Sequence, residues 1–72
     1  MANAKAAALR DLPDDALLER LTEDKDTLLK LRFRLVTGQL DNHAEISRLR
    51  REIARVNTEI RARQIAAAEG SR

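Results

Sequence analysis

The sequence predicts an all-α protein: a long antiparallel two-helix hairpin, coiled-coil-like along its seam, with a short turn near Thr37 to Asp41. Three observations carry this. Leu28, Leu31 and Leu35 keep helical spacing up to Val36. Thr37 and Gly38 then interrupt the pattern. Beyond them Ile46, Leu49, Ile53, Val56 and Ile60 step by three, four, three and four residues, a seam of coiled-coil type.

The chain opens on MANAKAAA, which carries no strong pattern; small Ala-rich termini are usually mobile or only partly helical. The expected organisation is one domain, residues 1–72, with the hairpin over about 9–66 and flexible termini at 1–8 and 67–72. Leu9 and Leu12 flank Arg10 and Asp11. Pro13 suits the first turn of a helix, where its missing N–H does no harm. Asp14 and Asp15 then place negative charge near the positive end of that helix. Leu17, Leu18, Leu21, Leu28, Leu31 and Leu35 are expected to form its buried stripe. The position between Leu21 and Leu28 holds Asp24. A bare buried carboxylate is costly, so the helices are expected to splay there, or a basic partner to meet it. A helix over 13–36 would run about 35 Å. Phe33 leaves the leucine seam. It reads as a packing residue, because one aromatic alone makes a poor base-stacking platform. Its neighbours Arg32 and Arg34 are candidates for phosphate contact.

The turn follows. Gly adopts left-handed backbone angles without a side-chain clash, so Gly38 is a natural helix stop. Leu40 lies where an apolar residue often packs back on the helix just ended. Asn42 with Glu45 three residues later resembles a capping box. About five residues separate the helices, short enough to force antiparallel neighbours.

The second helix is expected over 42–66. Its apolar residues fall in one stripe. Arg48, Arg51 and Arg55 project to the opposite face. Arg50 and Arg61 lie on one flank, and Glu45, Glu52 and Glu59 on the other. These five arginines share one arc that no acid interrupts. A solvated charged face is the bland reading; an anionic partner is the sharper one. Past Ile60 the pattern weakens, and fraying is expected before Gly70.

Composition sets limits. With 72 residues the chain buries little surface. It has no Cys, so no disulfide framework and no thiolate metal site. It has no apolar run long enough to cross a membrane and no signal-peptide core, so the cytoplasm is the expected compartment. Formal net charge is only +2, but it is divided: residues 1–27 hold four basic and seven acidic side chains, residues 28–72 ten and five. One surface for an anion and another for something else fits that division. A single Phe argues against tracking of single strands, leaving shape and phosphate contact if the partner is RNA.

No catalytic constellation appears, and no enzyme is expected. His43, the only His, sits at the expected helix start with no set of ligands around it. Asp14 with Asp15 and Glu23 with Asp24 are adjacent on helical sequence and do not face each other as acid pairs. There is no Gly-rich phosphate loop. No cofactor, metal or small-molecule substrate is therefore expected.

The segments LRFRLVTGQLDN, from Leu31, and NHAEISRLRREIARV, from Asn42, carry a resemblance. The chain resembles the large-subunit ribosomal protein family numbered twenty-nine, bacterial type, from Leu9 to Arg63. Asn42, Ile46, Leu49, Arg50, Arg51, Ile53, Ala54, Arg55 and Val56 match the family signature. The opening LRDLPDDALLERL is similar to the family's usual start, with Pro13 where the family often has Ser. The resemblance implies a structural constituent of the large ribosomal subunit that supports translation. Its implied partners are the large-subunit, 23S-type rRNA near the rim of the polypeptide exit tunnel and the neighbouring tunnel-rim protein twenty-three, with nascent-chain factors as further candidates. Carried over by position, the implied rRNA-facing residues are Arg32, Gln39, Arg50, Arg51 and Arg55; Arg34 and Arg48 are added from charge geometry. The alternative class is a helical-hairpin module for protein–protein interaction or dimerisation without RNA. The seam suits either; arginines turned away from it favour RNA.

Overall fold

A computed structural model describes residues 4–40 and 43–70. Three helices follow one another: α1 (Ala4–Arg10), α2 (Asp14–Val36) and α3 (Ala44–Gly70). No strand occurs among the described residues. The long helices α2 and α3 pack against each other as the expected hairpin, and α1 packs on α3. The molecule is a rod of 52 × 23 × 16 Å, so most side chains lie on the surface.

Helix α1 is the element that periodicity missed. Lys5 sits beside Glu45, Arg48 and Leu49, and Leu9 and Arg10 sit beside Arg55 and Glu59. Thus α1 runs along α3 in the same direction. Its last turn closes through Asp11 N–H to Ala8 O at 3.3 Å and Leu12 N–H to Leu9 O at 3.2 Å. Pro13 then reverses the chain. It is the N-cap of α2 and not a first-turn residue, at φ −68° and ψ 162°, and no side chain caps that end.

The core lies where the three helices meet. Leu9 from α1, Leu17 from α2 and Val56 from α3 are buried together, with Leu12, Leu21 and Ile60 half-buried around them. Two helices share one interface, and each side chain there keeps an open side; α1 covers that side along the stretch of α3 from Glu45 to Glu59. Toward the turn only Leu31 is buried among the described residues. Leu28, Leu35, Ile46, Leu49 and Ile53 complete the expected seam but are half-buried. Leu18 corrects the expected stripe: it is 54% exposed, because its neighbour Leu17 takes the interior direction. Phe33 also corrects its expected packing role, being exposed on the side away from α3.

The turn obeys its chemistry. Gly38 has φ +76°. Gly38 N–H donates to Leu35 O at 3.2 Å and Gln39 N–H to Arg34 O at 2.8 Å. This pair of bonds is the Schellman arrangement, which satisfies the carbonyls left open at a helix end. The Thr37 hydroxyl also donates to Arg34 O at 3.1 Å. Leu40 is half-buried. Asn42, expected to cap the next helix, lies outside the described residues. Ser47 N–H donates to His43 O at 3.2 Å, so His43 stands at the N-cap position of α3. At its far end α3 does not fray before Gly70 but continues to it, past the expected limit at 66.

Candidate nucleic-acid interface

Charge is sorted by partnership. Two of the three acids on the acidic flank of α3, Glu52 and Glu59, are taken up inside the chain. Arg20 of α2 donates to Glu52 through Nε at 3.1 Å and also through its terminal nitrogen. Arg63 donates to Glu59 at 3.1 Å and to Asp14 at 2.7 Å. It also donates to the carbonyls of Leu9 at 3.3 Å and Arg10 at 3.2 Å. One guanidinium therefore ties the end of α1 and the start of α2 to α3. Its planar fork allows this, since five N–H donors can serve several acceptors at once. Periodicity gives Arg63 no role, because three of its four acceptors, Asp14 and the carbonyls of Leu9 and Arg10, come from segments remote in the chain.

Asp24 sits in the same acidic region, in a groove with Glu19, Arg20, Glu23 and Glu52. A basic residue does stand near it, but Arg20 bonds Glu52. One Asp24 carboxylate oxygen is buried without a hydrogen-bond partner. Desolvation first, then the charges of Glu52 and Glu23, push its pKa above the usual carboxylate value against the opposing pull of Arg20.

The other arginines are left over. Arg32, Arg34, Arg48, Arg50, Arg51, Arg55 and Arg61 form no ion pair and no side-chain hydrogen bond among the described residues. Arg32, Arg34, Arg48, Arg50, Arg51 and Arg61 are exposed, as is Gln39 at the turn. Arg55 differs. It is half-buried and borders the groove between α3 and α1. The structure thus brings Arg48, Arg50, Arg51 and Arg55 together along α3. Arg32, Arg34 and Gln39 gather separately, at the turn end of α2.

The helices hold these guanidinium groups in a fixed register, and a guanidinium keeps its charge and offers a forked donor suited to phosphate. Burial of so many cations without acids would be costly; all but Arg55 are instead open to solvent. Among the described residues no cluster of acids, His or Cys could hold a metal ion, and no helix is long and apolar enough to cross a membrane.

Comparison with known proteins bears on this surface. The family described as Ribosomal L29 protein matches residues 7–63. The chain belongs to that family. The match spans α2, the turn and most of α3, and reaches back into α1. Among curated relatives, "Large ribosomal subunit protein uL29" of Carboxydothermus hydrogenoformans is 60% identical over 62 residues, covering 86% of this chain and 90% of the relative. The protein of the same name from Mycobacterium sp. strain KMS is 50% identical, covering 86% and 80%. That of Streptomyces griseus is 45% identical over 64 residues, covering 89% and 86%. The L29 family is one of structural ribosomal proteins and not of enzymes.

Proposed function

We propose that this L29-family chain is a structural constituent of the large ribosomal subunit in the cytoplasm, and that it binds large-subunit rRNA near the rim of the polypeptide exit tunnel. One observation supports the RNA contact above the rest: Glu52 and Glu59 of α3 find cations inside the chain, while the arginines of α3 turned away from the seam find no acid among the described residues. Arg32, Arg34, Gln39, Arg48, Arg50, Arg51 and Arg55 are the residues we assign to rRNA. Arg48, Arg50 and Arg51 reach phosphates directly. Arg55 reaches them from the edge of the α1 groove. Contacts of this kind fix position and orientation and need little base reading. The acidic side, around Glu19, Glu23 and Asp24, is repelled by RNA and is left for neighbouring protein, in line with a place beside the tunnel-rim protein twenty-three and the factors that visit the exit site.

The test is binding of the full-length chain to large-subunit rRNA over a salt series, paired with co-sedimentation with large subunits through a salt wash. Neutralisation of several phosphates gives a steep negative slope of log affinity against log salt. A module for protein contact alone would bind no RNA and show no such slope.

A further inference from the structure

Opposite its seam, α2 carries a second apolar stripe. Leu29, Phe33 and Val36 are 68%, 67% and 84% exposed. Their i, i+4, i+7 spacing puts them on one face. A single exposed apolar residue is ordinary; three adjoining, with the chain's one aromatic in the middle, mark a contact site. At 3.6 residues per turn, Lys25 and Arg32 border the stripe on one edge and Lys30 and Arg34 on the other. Lys30 is engaged by Asp26 at 2.9 Å. Lys25, Arg32 and Arg34 have no side-chain partner among the described residues.

We propose that Phe33 stacks on one unpaired base of the RNA, with Arg32 and Arg34 on the flanking phosphates and Leu29 and Val36 against the same nucleotide. This rests on the rRNA-binding reading above and adds a base contact to it. An apolar ring between two unpartnered guanidinium groups matches a ligand that carries a π-face and negative charge side by side. A nucleotide has both. A protein partner would instead have to bring an apolar knob ringed by carboxylates. The base must be unpaired, because the faces of a base inside a duplex are already covered. One ring accepts one base and does not track a strand. The rigid helix keeps the ring exposed in the free protein.

The experiment compares the full-length chain with Phe33→Ala, Phe33→Leu and Phe33→Trp on large-subunit rRNA stripped of protein, by affinity across a salt series and by base-specific chemical probing. Because Phe33 is exposed, the variants keep the fold. Phe33→Ala should weaken binding by roughly tenfold or more, the scale of one lost stack. Phe33→Leu should lose nearly as much, since it keeps the apolar surface but not the ring, and Phe33→Trp should bind like the parent. The salt slope should not change, as no phosphate contact is lost. One unpaired base protected by the parent should become reactive with Phe33→Ala. If Phe33→Ala and Phe33→Leu bind and protect the RNA like the parent, the stacking proposal is wrong, and a concurrent loss of subunit assembly would assign the stripe to a protein neighbour. If the parent itself binds no RNA, the rRNA-binding reading falls, and this proposal with it.

Discussion

Asp14 and Arg63 are 49 positions apart in the chain and 2.7 Å apart in space. Their ion pair joins the first turn of α2 to the late part of α3. The same guanidinium reaches Leu9 O and Arg10 O, so it also occupies the carbonyl end of α1, where a cation is favoured by the helix dipole and open acceptors. This one side chain ties together the three helices that meet at the Leu9, Leu17 and Val56 core.

Replacement of Arg63 should therefore loosen α1 before it unfolds the hairpin. We expect Arg63→Met to lower stability only modestly, since Asp14 is largely exposed and its share is screened. Arg63→Lys should recover only part of this, because one ammonium cannot reproduce the fork. Amide chemical shifts of Ala4 to Arg10 are the direct readout: they should move toward coil values while those of α2 and α3 stay helical. Unchanged α1 shifts in Arg63→Met would show that Leu9 burial alone holds the helix.

Gly38 offers a second prediction. A Cβ built there meets nothing within 4 Å, so a substitution carries no steric clash. The whole penalty comes from φ +76°. Gly38→Val should cost about 1–2 kcal/mol from left-handed strain on a β-branched residue, and Gly38→Ala toward the lower end of that range. Denaturant unfolding of the two variants measures this, and equal stability of all three proteins would mean that the turn relaxes to another conformation.

Asp24 should destabilise the fold in its ionised form. Its folded pKa is raised, so folding favours the protonated carboxyl. Stability from this group is present below the ordinary carboxylate pKa and is lost as pH rises through the higher folded value. Arg20, Glu23 and Glu52 are the charged groups that act on it. Asp24→Asn should accordingly melt higher than the parent at neutral pH, and the gap should close as pH falls into the carboxylate range. A gap that does not vary with pH would assign the effect to packing and not to charge.

Much of this was legible in the sequence, for physical reasons that differ by residue. Gly38 was legible because a helix stop followed by a close reversal needs positive φ, and glycine meets that need cheaply. The seam was legible because Ile46 to Ile60 repeat with the helix period. Helix α1 was not: Ala4 to Ala8 have no apolar contrast, and Leu9 alone anchors the segment. Leu18 misled because it adjoins Leu17, and side chains one residue apart on a helix cannot share a direction. Phe33 misled because aromatic residues are usually buried, whereas here α2 turns it away from its only long partner. At the candidate site, periodicity separated Arg48, Arg51 and Arg55 from the seam. It could not show that Arg55 would border α1, that Arg20 would take up Glu52 and Arg63 Asp14, or that the other arginines of α3 would stay without partners among the described residues. Those facts depend on contacts between distant segments.

Contact with rRNA phosphate is what we propose for the arginines of α3 that have no partner among the described residues. Arg50, Arg51 and Arg55 test it together. Gln is a good helix former, so the triple change to Gln should leave helix content by circular dichroism nearly intact. The decisive measurement is the salt dependence of rRNA affinity for parent and triple variant. The triple variant should bind more weakly, with a slope flatter by up to about three units, near one for each lost phosphate contact. Unchanged affinity with an unchanged slope would contradict it: this face would then be a solvated surface, and the RNA contact would have to lie around Arg32, Arg34 and the Gly38 turn.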